Sequence, residues 1–510
     1  MICLGYDYGT TNSLIARYGD QGAGDIVLLG RKPSSWADNG ELVRSPKRLL
    51  SSPSFDGNLI KGYIRDYTAS FMRSSVLLSS DDPVCLTVTI PNAFTDVQCK
   101  IVLDAVREAG CSSLGENRFP SGSVAILPEP VAAALHYVHL KASDEPSEGV
   151  VVVCDIGGGT TDLAAVHYRV TENGGSRDIS FQVICTEGDP LFGGDDIDRI
   201  LIDYWKNIYG PSRYLPMAAR ALKRKLSFVR CDEVAEVALT ADDGESPFLD
   251  DDGKPVVLRM TRSRFGTLIH EKLDRLLEMS KSLKAEYARL APSLGLDGRL
   301  SGCVILPVGG SSQIPAIRAA LRKEFKGRLF LLPGETVSSD GLTPFDSVVK
   351  GAAVYSAWRC GELDGIGSIS IEGRTLHRIS IMVNENELET IVARNMPSKV
   401  YRPDRNLFPK RLDGDGSTFH LERIDLYEGE GAYVGDTSFG SPPVYLPLLE
   451  DLQDPIYTHG RELEQIPIVI DLTIKEGRLY SLRIHVSQGG RKDAQDAVPP
   501  DYEKEIVFVV

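Results

Sequence analysis

Apolar positions along the first 358 residues keep switching between a strand-like and a helix-like rhythm. Short β-rich runs at Ile2 to Leu4, Val84 to Ile90 and Val150 to Cys154 are read as strands. Between them, residues 96–109 place Val97, Ile101 and Ala105 on one helical face, and residues 128–140, 194–209, 262–290 and 314–325 are read as further helices. Alternation of this kind predicts an α/β domain whose sheet is covered on both faces. The acidic, glycine-bearing stretch 241–254 reads as a hairpin or loop rather than a boundary.

After Trp358 the texture changes. Residues 360–367 have the glycine and acid content of a linker. Beyond them, apolar runs at 378–383, 388–392, 419–427, 466–474 and 478–486 carry no long amphipathic helix, and Lys475-Glu476-Gly477 is a hairpin turn signal. Residues 489–502 read as a polar tail, and 506–510 as a last strand. The expected organisation is an α/β domain over 1–358, a linker over 359–370 and an all-β domain over 371–510.

Composition narrows the partners. A net charge of −15 disfavours nucleic acid or an anionic membrane as the main surface bound. No stretch approaches the roughly 20 apolar residues that span a bilayer, and no secretory leader is visible after Met1, so a cytoplasmic protein is expected. The nine cysteines are scattered and form no Cys-x-x-Cys pair, which argues against a disulfide framework or a zinc site. The eight histidines form no ligand-spaced cluster.

Two turns carry the chemistry. Asp7-Tyr8-Gly9-Thr10-Thr11-Asn12 and Asp155-Ile156-Gly157-Gly158-Gly159-Thr160-Thr161-Asp162 each lie between two apolar runs. Glycine lets backbone N–H groups approach an anion, threonine adds a hydroxyl donor, and aspartate orients a hydrated cation or a water. The repeated Asp-x-Gly core suggests a duplicated half-domain gripping one polyphosphate from both sides. A third element, Val308-Gly309-Gly310-Ser311, is a strand-to-helix turn suited to an anion or nucleoside. Glu129, ahead of an alanine-rich helix, is explained from the residues alone by the helix dipole. Lys47 reads alone as one of a solvated basic pair with Arg48.

Taken in order, these elements resemble the 70-kDa heat-shock chaperone family of the DnaK type. The matching strings are the first turn, Pro91-Asn-Ala-Phe-Thr-Asp96, Pro128-Glu-Pro-Val-Ala-Ala-Ala134 and the second turn. Phe192-Gly-Gly-Asp-Asp196, Lys223-Arg-Lys-Leu-Ser227, Val308-Gly-Gly-Ser311 and Lys350-Gly-Ala-Ala353 follow. The resemblance implies an actin-like ATPase domain, with duplicated lobes around a nucleotide cleft, then a β-sandwich that binds extended peptides, without the family's C-terminal helical lid. It implies ATP or ADP with Mg²⁺ as cofactors. Unfolded polypeptides are the implied clients, with a J-domain co-chaperone and a nucleotide-exchange factor as further partners.

Carried over residue by residue, Gly9, Thr10, Thr11 and Asn12 match the first phosphate loop, and Gly157, Gly158, Gly159 and Thr160 the second. Asp7 and Asp155 match carboxylates that hold Mg²⁺ through its waters, and Asp162 one beside the attacking water. Lys47 matches the lysine facing the γ-phosphate, and Glu129 with Pro91 the pair that senses phosphate state. Thr160 joins the catalytic set, while Gly193, Gly194, Lys223, Arg224, Ser227, Gly309, Gly310 and Ser311 match the nucleotide-binding side.

The chain also departs from the pattern. Arg220 stands where glutamate meets the ribose, and Gln313 where an arginine stacks on adenine. Cys99 and Leu103 replace basic residues of the relay helix, and the linker retains only Leu363, Asp364 and Ile366 of its usual string. Two other functions stay open on these residues: a non-hydrolysing, nucleotide-gated interaction protein, and an actin-fold small-molecule kinase.

Overall fold

Two strands buried on both faces organise the first unit. Ile2–Tyr8 (β1) is apolar or aromatic apart from Gly5 and Asp7, and Glu148–Ile156 (β6) carries the run Val150 to Cys154. Each is the central strand of a sheet. In the first sheet β1 is joined by Asn12–Tyr18 (β2), Ile26–Pro33 (β3), Val84–Ile90 (β4) and Val124–Pro128 (β5), in the order β3-β2-β1-β4-β5. The second contains β6, Thr161–Asn173 (β7), Ser176–Asp189 (β8), Val304–Val308 (β9) and Arg328–Leu329 (β10), in the order β8-β7-β6-β9-β10. In both, the first three strands are antiparallel and the last two run parallel to the first. The two sheets are therefore one topology used twice.

This computed structural model describes residues 1–372 apart from 20–24, 39–40, 45, 51–55, 77–81, 93, 121, 142–146, 190–191, 231–232, 241–247, 250–252, 301 and 330–345. Farther on it describes 378–382, 387–392, 400–401, 418–419, 426–429, 432–434, 444–446, 456–457, 468–475, 479–486 and 502–508. The expected loop at 241–254 and the polar tail at 489–502 fall largely outside the described residues.

The helices are Pro46–Leu49 (α1), Gly57–Ser75 (α2), Asp96–Leu114 (α3), Glu129–Lys141 (α4), Gly194–Tyr209 (α5) and Leu215–Phe228 (α6). Arg262–Leu268 (α7), His270–Leu290 (α8), Pro315–Phe325 (α9) and Ser347–Arg359 (α10) complete the set. The single helix expected over 262–290 is two. The break falls at Ile269, and it lets both Phe265 and Ile269 reach the core while α8 turns Leu276, Met279, Leu283 and Tyr287 inward. Helices α1, α2, α6 and α10 add to the elements read from the sequence. Around the second sheet, α5, α6, α8 and α9 bury Ile197, Leu201, Leu222, Leu283 and Leu321 in one continuous core.

Helix α10 covers one face of the first sheet. It is buried along nearly its whole length, packed on β1, β2 and β4 and crossing α4. Small residues make that crossing feasible. A Cβ on Gly351 would collide with the carbonyl of Ala132 in α4, and one on Gly5 of β1 with the carbonyl of Val349 in α10. Ser356 solves the polar problem of such burial: its hydroxyl donates to the Leu4 carbonyl at 2.7 Å and pairs with Thr87 Oγ1 at 2.7 Å.

The segment expected as a linker is folded. Gly361 (φ 70°) ends α10, and Ile366–Glu372 (β11) lies on the outer edge of the second sheet beside β8. Arg177 N–H bonds the Gly365 carbonyl at 2.9 Å, and Ser368 Oγ donates to Asp178 at 2.7 Å. The first unit comprises Met1–Leu49, Asn58–Asn92 and Ala105–Ser370; the second comprises Ile371–Val510 with Leu50–Gly57 and Ala93–Asp104. Within the second, Leu388–Val392, Ile379–Met382, Leu426–Glu428 and Val444–Leu446 form one four-stranded sheet in that order. Val400–Tyr401, Ile468–Lys475, Leu479–Val486 and Tyr502–Phe508 form another. The last two strands of the sequence reading are thus present, shifted by a few residues.

The helix crossing yields a test. Gly351→Ala should destabilise the chain by about 1–3 kcal/mol, because it meets backbone that cannot step aside. Gly62→Ala, in α2 with open space around its Cβ position, should instead be neutral or stabilise by up to about 1 kcal/mol. Denaturant unfolding of the two variants measures the contrast.

Candidate functional site

The duplicated topology brings the two glycine–threonine turns together. The β1–β2 turn holds Gly9, Thr10 and Thr11; the β6–β7 turn holds Gly157 to Thr160 and closes with a Gly157 N–H to Thr160 carbonyl bond of 3.0 Å. A Cβ on Gly158 would collide with the Thr11 hydroxyl, so the turns touch. Thr11 Oγ1 is buried there and has no hydrogen-bond partner among the described residues. A buried hydroxyl at a glycine-lined contact is poised for a ligand oxygen.

Helix α5 sets the orientation of the second turn. Its Gly194 N–H donates to the Gly157 carbonyl at 3.0 Å, and its Asp195 N–H to the Gly158 carbonyl at 2.7 Å. A trans peptide points its N–H opposite its carbonyl, so the Gly158 and Gly159 N–H groups face away from α5. The helix start is itself held by Gly193 N–H donating to Asp196 Oδ2 at 2.9 Å.

Charge converges on the same place. Lys47 Nζ in α1 lies 2.6 Å from Glu129 Oε1 at the start of α4, with only 3% of the lysine side chain exposed. The solvated basic pair and the helix-dipole carboxylate read from the residues alone are thus replaced by one buried ion pair. Asp7, at the end of β1, accepts from Thr89 Oγ1 at 3.0 Å. Asp155, at the end of β6, pairs across the strands with Asp162 at the start of β7. The equivalent partner of Asp7 is Leu14, so the duplication breaks its symmetry here. Burial, then the neighbouring Glu129, pushes Asp7 up to about 6 and Asp162 up to about 7. The same causes, with Asp162 and Asp7 added, hold Asp155 well above the carboxylate range, and Lys47 opposes the rise in all three.

The Gly-Gly-Ser turn sits behind the second turn. Gly309 (φ 77°) packs so closely that a Cβ would stand 2.6 Å from Asp155 Oδ1, and Ser311 Oγ donates to the Gly157 carbonyl at 2.9 Å. On α6, Lys223 donates to the Gly194 carbonyl at 2.7 Å and pairs with Asp198 at 2.8 Å, while the Ser227 hydroxyl bonds back to the Lys223 carbonyl. Both are therefore engaged within the fold, whereas Arg224 and Gly310 are exposed. Arg220 pairs with Asp195 and Asp198 of α5. Gln313 is buried, and its Nε2 has no partner among the described residues.

Sequence reasoning missed three contributors. Thr89 orients Asp7, Asp198 holds Lys223, and Arg31 on β3 comes near enough to Arg224 for the second guanidinium, after burial, to lower the first one's affinity for its proton. Each depends on a pairing between strands or helices that no local motif records. Among the described residues, no three His, Cys, Asp or Glu side chains converge as direct metal ligands, and no helix is long and apolar enough to cross a membrane.

The carboxylate cluster predicts a pH dependence. The folded chain holds the Asp7 and Asp162 protons more tightly than the unfolded chain does. Their burial therefore costs little near pH 4, and stability falls as pH rises through about 6 to 7. With chelator present, Asp162→Asn should raise the melting temperature at pH 8 by roughly 2 °C or more and leave it unchanged near pH 4. Equal shifts at both pH values would remove Asp162 from the titrating cluster.

Comparison with known proteins bears on the chain as a whole. The family model described as "Hsp70 protein" matches residues 77–396. The chain is 27% identical over 492 residues to a protein named "Chaperone protein HscA homolog" from Bordetella petrii, covering 85% of this chain and 70% of that protein. The duplicated sheets, the facing glycine–threonine turns and this extended match lead to one conclusion: the chain belongs to the Hsp70 family of chaperones.

Proposed function

We propose that the chain binds ATP between the two glycine–threonine turns and hydrolyses it to ADP and phosphate, using the cycle to control its hold on unfolded or extended polypeptide. The observation that carries this reading is the contact of Thr11 with Gly158 beside the buried Lys47–Glu129 pair. Backbone N–H groups of the turns, with the Thr10 and Thr11 hydroxyls, receive the phosphates. Lys47 turns from Glu129 toward the terminal phosphate and balances the charge that develops there. Asp162, held by a hydrogen bond from Thr160 and pushed up to about 7, orients the attacking water and accepts its proton.

The donor set also fits Mg²⁺. Asp7, Asp155, Asp162 and Glu129 gather, among the described residues, around Lys47, an excess of negative charge that a hydrated divalent cation would relieve. When bound, Mg²⁺ neutralises phosphate charge. Asp7 and Asp155 would hold it through its waters. On the nucleoside side, Gly309, Gly310, Ser311 and Arg224 form the wall, with Lys223 and Ser227 supporting it from behind.

The two four-stranded sheets of the second unit are read as a β-sandwich that takes extended polypeptide. Family membership and the chaperone name of the Bordetella petrii relative support this, and with it a cytoplasmic setting, a J-domain partner and a nucleotide-exchange factor. Stimulation of ATP turnover by an unfolded polypeptide tests the whole reading. Bound but unhydrolysed ATP would favour a nucleotide-gated interaction protein instead.

Two substitutions test the parts. Lys47→Ala should leave ATP affinity largely intact while slowing single-turnover hydrolysis by about a hundredfold, the scale of one lost transition-state contact. Wild-type rates in that variant would exclude the lysine from the mechanism. Gly158→Val should weaken ATP and ADP alike in calorimetric titration, since its side chain fills the space between the turns. Unchanged affinity in a variant with unchanged melting would mean the second turn is only a hairpin.

A further inference from the structure

Three cysteines far apart in the sequence meet at the end of the first sheet away from the phosphate turns. Cys3 on β1 and Cys85 on β4 are register partners on adjacent parallel strands. Neighbouring strands lie about 4.8 Å apart, and partners in register point to the same face. Cys360, at the end of α10, comes close enough to that pair for both strand thiols to shift its proton affinity. The preceding residue confirms the placement: Arg359 Nη1 is 3.7 Å from Cys85 Sγ.

The position of Cys360 is fixed on both sides. Its N–H bonds the Ser356 carbonyl at 3.1 Å, and Gly361 ends the helix in the left-handed region, with Glu362 N–H returning to the Ala357 carbonyl at 2.9 Å. The strand cysteines are buried at 2% and 4% exposure, whereas Cys360 is partly open to solvent. All three are free thiols. One reachable thiol held against two sealed ones is the arrangement of an attackable sulfur beside a resolving partner.

We propose that Cys3, Cys85 and Cys360 form an oxidisable thiol cluster, in which a peroxide converts Cys360 to a sulfenic acid and a buried strand cysteine then closes a disulfide with it. In the first step the Cys360 thiolate attacks one peroxide oxygen, the O–O bond breaks, and hydroxide leaves and is protonated to water. In the second, the strand thiol attacks the sulfenic sulfur, the S–O bond breaks, and a second water leaves with the thiol proton. Two thiols lose two electrons in total to one peroxide. The bridge ties the end of α10 to the sheet whose central strand carries Asp7 at its other end.

Burial and hydrogen bonding also set the rate. Cys360 is pushed up to about 12, chiefly by its hydrogen bond with Cys3, so its reactive thiolate is scarce at neutral pH. Bridging should accordingly be slow at pH 7 and quicken about tenfold per pH unit toward pH 9.

The test treats the full-length chain with hydrogen peroxide at pH 7 and pH 9, alkylates residual thiols, and maps peptides by mass spectrometry without reduction. The expected result is a cross-linked pair joining the Cys360 peptide to that of Cys3 or Cys85, lighter by two hydrogens and separated by dithiothreitol. In the untreated protein Cys360 should react with iodoacetamide before Cys3 and Cys85, and after oxidation it should be protected. Cys360→Ser should leave Cys3 and Cys85 reduced under the same treatment. Recovery of Cys360 as alkylated thiol or as sulfinic acid after oxidation would overturn the proposal. So would a Cys3–Cys85 bridge that forms equally well in Cys360→Ser. The alkylation order in the wild-type protein keeps the test decisive even where the variant is poorly folded.

Discussion

Buried negative charge is the constraint around which the first unit is arranged. Glu129 acts on Asp7, Asp155 and Asp162, Asp155 also feels Asp7 and Asp162, and Lys47 opposes all three. Two carboxylates at such proximity cannot both ionise freely in a poorly solvated site. The fold therefore stores an unfavourable interaction, one that the proposed divalent cation and polyphosphate would relieve together.

That arrangement requires two sheets to end at one point. Using one topology twice achieves this, since β1 and β6 occupy equivalent places and finish at Asp7 and Asp155. The halves are not equal in chemistry. Where β7 begins with Asp162 opposite Asp155, the first half has Leu14 opposite Asp7. Only the second half thus sets a second carboxylate opposite the first. Close approach at the base of the site rests on small residues, with Gly5 and Gly351 letting backbone meet backbone around α10.

The departures from the family pattern acquire physical meaning in three dimensions. Arg220 does not stand idle where glutamate is usual; it neutralises Asp195 and Asp198 on α5, the helix that orients the second turn. Gln313 is drawn into the protein rather than presented to a base. Arg31, contributed by the opposite half, comes close to Arg224 instead. The glycine–threonine turns are thereby kept while the side chains around the Gly-Gly-Ser turn differ from the family pattern.

The order of strands and most helices, both glycine–threonine turns and the loss of helical periodicity after Trp358 were legible from the sequence. These features rest on local physics: alternation of apolar residues, glycine in tight turns and the absence of helical periodicity. The break at Ile269 and the folding of residues 366–372 onto β8 were not legible, because each is decided by which surface remains to be covered. The same holds at the site. Asp7, Asp155 and the glycines announce themselves by motif, but Lys47 and Glu129 read as a solvated cation and a helix-dipole carboxylate until the fold removes water from both. Spacing along a chain carries information about neighbours within a few residues. Ion pairing, desolvation and the meeting of Thr11 with Gly158 depend on distances through space, and those only the tertiary structure decides.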